Sequence, residues 1–326
     1  MKKILLLGGG GYIGIEVAKF FLKKGFKVFC ADNFIYRHDF SVKKLKKNKN
    51  FFLHKCDLTD NKNFPNILIG ITDVVILAGL VGDPITKKYP KKAEKINYIG
   101  IKKFINFCKK KKEIKKLVFI STCSNYGLIK NKIANENTKL NPQSLYARQK
   151  IKIEKHLINQ SSKFNFNIYI LRFATAFGYS DRPRFDLTVN EFVLMAMQKK
   201  VIDIYDSKTW RTYCHVKDFS KVIYHVLIKK IKEKKIKIFN VGSNKNNFRK
   251  IDIINKIKKY IPHLQYKDVK SNNDPRNYIV DFTKIKKELK VKKFLSLDFG
   301  IKEMIKILNK NNKIKKYKKQ GNFVIN

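Results

Sequence analysis

Acid is what this 326-residue chain lacks most: 25 Asp and Glu stand against 73 Lys and Arg, a formal net charge of +48. Cysteine, proline and tryptophan are also scarce, at five, seven and one. The cysteines Cys30, Cys56, Cys108, Cys123 and Cys214 are far apart, odd in number and free of any CxxC or Cys/His grouping. That excludes a disulfide framework and a structural zinc, and predicts a reducing, cytoplasmic setting with no metal site. No apolar run approaches a membrane span. The opening MKKILLLGGGG imitates a signal peptide, but its apolar stretch lasts only from Ile4 to Leu7 and no small-residue cleavage site follows.

The surplus of base would attract nucleic acid or acidic lipid non-specifically. Only eight of the 73 cationic residues are Arg, however, and the Lys are scattered through almost every segment. Runs such as Lys109 to Lys112, and Lys234, Lys235 and Lys237, fall where helices or turns should face water. The distribution reads as a solvated surface, with no specific nucleic-acid partner and no membrane partner.

What is present is alternation. Short apolar runs exchange with longer helical patterns through the first half, the pattern of a parallel sheet with crossover helices. Strands are predicted at Lys3–Leu7, Lys27–Ala31, Phe51–Lys55, Asp73–Leu77, Lys116–Ile120 and Asn167–Phe173, with a return to the sheet at Lys237–Val241. Helices are predicted from Gly14, from Ala93 through Lys110, and from Leu145 through Gln160. Later come a loop at Arg182–Asp186, helices at Asn190–Lys199 and Lys250–Ile261, and a strand at Val201–Tyr205. The fold class is α/β: a Rossmann-type, doubly wound parallel sheet with a smaller C-terminal α/β substrate lobe. Residues 1–177 plus about 212–242 form the Rossmann domain, and 178–211 plus 243–326 the lobe. The Lys-rich stretch from Lys310 is expected to be solvated.

Gly8, Gly11 and Gly14 give GxxGxxG between the first strand and a helical run. They allow a tight turn, close approach of backbone to a pyrophosphate, and close packing of helix on sheet, with the helix N-terminus facing the phosphates. Asp32 ends the second strand about twenty residues on, where an acid accepts from the adenosine ribose hydroxyls and repels a 2′-phosphate, favouring NAD over NADP. Asp57, in KCDLTD, is either an acceptor for the adenine amino group or a turn residue. LAGLVG, residues 77 to 82, ends the fourth strand in small residues that let a nucleotide approach. Tyr146 and Lys150 lie four apart on a predicted helix, hence on one face. With the hydroxyl of Thr122 they read as hydride-transfer chemistry on an alcohol.

These segments resemble the extended short-chain dehydrogenase/reductases that act on nucleotide-activated sugars. GGGGYIG, DVVILAG, Asn97 in KINYIG, STCSNYG at 121–127, YARQK at 146–150 and LRFATAFG at 171–178 follow in the family's order. RPRFDLTVNEF, TWRTYCHVKDF, NVG and DPRNYIVDF look like segments of its sugar-nucleotide epimerases and 4-dehydrogenases. The resemblance implies NAD as cofactor, held by the glycine turn with Tyr12 and Ile13, by Asp32 and Asn33, by Asp57 and Leu58, by Leu77, Ala78 and Gly79, and by Asn97, Tyr146 and Lys150. It implies a nucleotide-diphosphate sugar as substrate, with Arg211 and Arg276 on the pyrophosphate. It also implies a homodimer through helices 93–110 and 145–160, and a place in surface-polysaccharide pathways. Asn190 is a further candidate donor and Asn125 a further candidate contact. Arg184 either lines the sugar pocket or braces a loop.

Charge assigns the roles. Tyr146 takes the proton from the sugar hydroxyl, its pKa lowered by the Lys150 ammonium and the oxidised nicotinamide. Thr122 positions the reacting oxygen. The outcome is either C4 epimerisation or release of a 4-keto sugar. Cys123 and Ser124 stand where 4,6-dehydratases carry an acidic pair, which sets that alternative, like 4-keto reduction, behind. A non-enzymatic NAD-sensing or nucleic-acid-binding relative would have lost the Tyr/Lys pair.

Overall fold

Continuous runs of Ile, Leu, Val and Phe, buried on both faces, build the central sheet, as parallel strands covered by helices require. The computed structural model describes residues 2–230, 235–270, 276–291, 293–310 and 321–325. Its sheet comprises β1 (Lys3–Leu7), β2 (Lys27–Asp32), β3 (Phe51–Lys55), β4 (Asp73–Ile76), β5 (Lys116–Thr122), β6 (Asn167–Phe173) and β7 (Ile236–Val241). The order is β7-β6-β5-β4-β1-β2-β3, and every pair is parallel. Strand periodicity divides the core: Ile4 and Leu6 enter one cluster, Leu5 and Leu7 the other. The chain order reverses between β1 and β4, so a crevice opens beyond their C-terminal ends, where ligands bind in such sheets.

Four helices position the site: α1 (Tyr12–Lys23), α2 (Leu145–Asn159), α3 (Thr188–Met197) and α4 (Val216–Ile228). Ser144 starts α2 by accepting the Ala147 N–H on its hydroxyl at 3.2 Å. The helix expected from Ala93 begins at Pro90 and passes through a wider π-type turn at Lys95–Gly100. The sequence reading gives no helix to α4, because its VIYHVLI run has the composition of a strand.

A third core, with Phe177, Phe192, Ile204, Ile254, Leu297 and Met304, belongs to the smaller lobe. The expected assignment of all of 243–326 to that lobe needs correction. Asn277–Val280 pairs in parallel with Leu128–Ala134, which carries Tyr278, Phe282 and Ile285 into the core of the large sheet. Ile325 joins the core on the sheet's other face. Within the stretch from Lys310, residues 311–320 lie outside the described residues. Among the described residues no helix is long and apolar enough to cross a membrane.

Candidate active site

The β1–α1 turn is built by backbone sterics. Gly8 has φ +85, and a Cβ there would stand 2.6 Å from the Ala78 backbone. At Gly14 a Cβ would meet Gly8 O and the Gly9 backbone at 2.6 Å, so glycine lets α1 seat against the turn. Gly11 differs: its nearest neighbour would be Gly8 O at 3.4 Å, and the remaining space belongs to a cavity. No acid occupies the first turn of α1, which leaves its amide donors and positive dipole end to an anion.

This first cavity is walled by Gly8, Gly11, Tyr12, Ile13 and Gly14, by Asp32 and Asn33, by Asp57 and Leu58, and by Leu77, Ala78 and Gly79. Asp32 also braces the turn, accepting from Gly10 N at 2.9 Å and from Phe34 N at 2.8 Å. Asp57 accepts from Thr59 N and from Asn33 Nδ2, at 2.7 and 3.0 Å. Burial opposes ionisation of its carboxyl, but these hydrogen bonds prevail and hold it below the usual range. Asn97, expected on the cofactor, is 2% exposed and lies behind the wall. Its Oδ1 accepts from Leu80 N at 2.7 Å while its Nδ2 donates to Leu80 O and to Gln149 Oε1, each at 2.9 Å. It shapes the Gly79–Leu80 turn rather than facing the cavity.

A second cavity, of about 580 Å³, holds Thr122, Ser124, Tyr146, Arg184, Arg211 and Arg276 in its walls. Both cavities share Tyr12, Ile13, Val81, Arg184 and Asn322, so they are contiguous. Thr122 ends β5 and its Oγ1 accepts from Ser124 N at 3.1 Å. Lys150, one turn beyond Tyr146 on α2, sits 5.8 Å from the tyrosine ring centre and donates to Ile120 O at 2.7 Å. Burial pulls the Lys150 ammonium down to about 8, against the Glu154 carboxylate. The expected lowering of the Tyr146 phenol by Lys150 is not what this arrangement gives. Burial raises that phenol well above its ordinary value, Asp83 adds to the rise, and Arg184 opposes it.

The remaining candidates divide. Arg276 pairs with Asp83 at 2.5 Å, and Arg211 donates to the Arg276 carbonyl. Arg184 forks onto Asp186 at 2.7 and 2.5 Å, so it braces its loop while lining both cavities. Asn190 is buried beside the cavity: its Oδ1 accepts from Gly178 N, and its amide donates to Gly178 O and Arg184 O. It braces that loop and does not line either cavity. Asn125, expected at substrate, is fully buried behind Thr122 with its amide on Ser121 and Glu154. Missed altogether were Asp83, Asn322 and the buried pair Arg172–Glu154, 2.7 Å apart, which underlies β5 and α2.

The donors and clearances of the first cavity fit a dinucleotide: open backbone at Gly11, an acid at the end of β2, and an anion-favouring helix end kept free of acid. The model of the NAD dependent epimerase/dehydratase family matches residues 4–242. An uncharacterized UDP-glucose epimerase of Bacillus subtilis is 32% identical over 237 residues, 69% of this chain and 72% of that one. A UDP-glucuronate 4-epimerase of Thermodesulfobacterium geofontis is 26% identical over 318 residues, covering 94% and 95% of the two chains. The UDP-glucuronic acid 4-epimerase of Bacillus cereus, crystallised with UDP-glucuronic acid and NAD, has the same fold, with a TM-score of 0.85 at 23% identity over 94% of this chain and 99% of that one. With a glycine turn under one cavity, a Thr and a Tyr lining the next, and Lys150 buried one helical turn beyond that Tyr and outside both linings, the chain belongs to the NAD-dependent epimerase/dehydratase family of sugar-nucleotide enzymes, the extended short-chain dehydrogenase/reductases.

Proposed function

We propose that this protein oxidises the C4 hydroxyl of a sugar carried on a nucleoside diphosphate and then either inverts that centre or releases the 4-keto sugar. The observation that carries this reading is the placement of Thr122 and Tyr146 in a cavity continuous with the one beneath the glycine turn. NAD, when bound, supplies a hydride acceptor and the positive charge of its oxidised ring. Gly11, Tyr12 and Ile13 would hold its pyrophosphate and Asp32 its adenosine ribose. Tyr146 takes the hydroxyl proton as phenolate, a form that burial opposes and that the positive charge of the oxidised nicotinamide would favour when bound, and as the phenol it can return that proton. Lys150, held on Ile120 O, keeps its ammonium 5.8 Å from the Tyr146 ring centre. Thr122 orients the reacting oxygen. Arg211 and Arg276 offer planar donors to the diphosphate.

Relatives named as UDP-glucuronate 4-epimerases support inversion. A dTDP-D-glucose 4,6-dehydratase of Dictyostelium discoideum is also 27% identical over 236 residues. Elimination asks for an acid after Thr122, however, and Cys123 there is buried with its thiol on Arg172 O at 3.2 Å. Likeness to the CapI protein of Staphylococcus aureus supports a role in surface-polysaccharide supply. Ile99 and Ile158, exposed on the helical faces at 42% and 39%, support a homodimer, which light scattering tests.

The deciding experiment incubates the protein with NAD and a panel of UDP-, dTDP- and GDP-linked sugars, following absorbance of reduced cofactor and the product by NMR. Inversion at C4 without net reduction supports the epimerase. Accumulated ketone with reduced cofactor supports the dehydrogenase. Bound NAD with every sugar unchanged defeats the proposal.

A further inference from the structure

Two arginines stand two residues apart in the loop before α3, and their surroundings differ. Arg184 is neutralised by the two oxygens of Asp186. Arg182 is 4% exposed, yet among the described residues no carboxylate makes an ion pair with it. Its Nη2 donates to neutral acceptors, Asn322 Oδ1 at 2.7 Å and Gly321 O at 3.4 Å, and its guanidinium lies 5.2 Å from the Tyr36 ring centre. Burial and the neighbouring Arg184 charge push its pKa down to about 10, against the longer-range pull of Asp186 and Asp32. A buried cation left without a counter-charge is costly unless a ligand provides one.

That guanidinium faces a specific space. Arg182 lines the first cavity, with the acid-free N-terminus of α1, and not the second. Asn322 holds it there and is itself fastened to the opposite rim, donating from Nδ2 to Val81 O at 3.3 Å. Asn322 is 8% exposed, and Ile325 anchors the same segment in the sheet's core. The segment 321–325 thus crosses the boundary of the two cavities, with Phe323 in the wall of the second.

We propose that Arg182 is the cationic counterpart of the dinucleotide's pyrophosphate, and that Asn322 is the positioning residue that holds it in place. This rests on the first cavity being the dinucleotide's. The glycine turn contributes neutral amides only; Arg182 adds the charge, and the segment 321–325 closes over it.

Calorimetric titration of the intact chain, stripped of nucleotide, with NAD, NADP, ADP-ribose and adenosine tests this. Arg182→Gln should weaken NAD and ADP-ribose alike by about tenfold to a hundredfold, the effect of losing one charge-assisted contact, and leave adenosine within twofold. Arg182→Lys should recover part of the loss. Asn322→Ala should act in the same pattern but less, and Asn322→Asp, which gives Arg182 a carboxylate, should weaken ADP-ribose more than Asn322→Ala does. Unchanged ADP-ribose affinity in Arg182→Gln, equal loss for adenosine, or a loss confined to NADP would each overturn the assignment; if the glutamine variant does not fold, unchanged affinities in Arg182→Lys and both Asn322 variants overturn it. An unaltered chain that binds none of the four probes defeats the cofactor reading itself.

Discussion

Lys150 Nζ donates to the carbonyl of Ile120 at 2.7 Å, two residues before Thr122, so the helix that carries Tyr146 is tied to the strand that carries the threonine. This bond and that of Ser121 Oγ to Glu154 Oε1 together hold the spacing between the hydroxyl on β5 and the phenol on α2. Proton transfer needs the two side chains held at that spacing.

Replacing Tyr146 by Phe keeps the ring and removes the proton carrier. Turnover should fall about 10²- to 10⁴-fold, the usual contribution of a positioned acid–base group. NAD affinity measured by titration should stay within about twofold. Full turnover in the variant would remove Tyr146 from the chemistry.

Asp83 lines the cavity of Tyr146 and raises its phenol pKa, second to burial. Among the described residues its Oδ1 is buried without a hydrogen-bond partner, while Oδ2 holds Arg276. Asp83→Asn withdraws a negative charge, which favours phenolate and lowers that pKa. The rising limb of kcat/KM against pH should move to lower pH, and Asp83→Glu should leave it in place. A limb that stays put in the asparagine variant would mean that Asp83 does not act on the base.

Much of this site is legible because its demands are local. The turn at Gly8 needs a positive φ, and a helix must seat on it at Gly14; both needs mark the residue type itself. Tyr146 and Lys150 share a helix face by spacing alone. The amides were not readable: Asn97, Asn125 and Asn190 donate and accept as well to backbone as to a ligand, and only the packed chain shows that Leu80, Glu154 and Gly178 take them. The same holds for Asn322, some 140 residues from its partner Arg182. In the fold, strands with unbroken apolar runs were placed within a residue or two. Leu128–Ala134 was missed because LIKNKIA lacks such a run and depends on pairing with Asn277–Val280.

The buried carboxylate of Glu154 is joined to Arg172 Nε and Nη2 and also receives Ser121 and the Asn125 amide. Both partners are almost fully buried, at 2% and 5% of their side-chain surface. Glu154→Ala would leave the guanidinium without its counter-charge in the core, a loss of about 3–5 kcal/mol. Urea unfolding should register it as a lowered midpoint with unchanged slope. A loss below about 1 kcal/mol would mean that water reaches Arg172.

Glu303 links the smaller lobe to the start of α4, accepting from His215 Nε2 at 3.1 Å and from Lys217 Nζ. Burial alone would raise its carboxyl, but these two partners lower it from 4.5 to about 2. Because the folded pKa lies below the unfolded one, the contribution to stability is complete above about pH 4.5 and disappears as pH falls toward about 2. The shift corresponds to about 3 kcal/mol. Glu303→Gln should therefore lower stability at neutral pH by an amount of that order, and flatten the fall between pH 4.5 and 2 relative to the unaltered chain. Unfolding free energies measured across that window check both signs together. A variant as acid-sensitive as the parent would show that the pair is screened and that acid unfolding starts elsewhere.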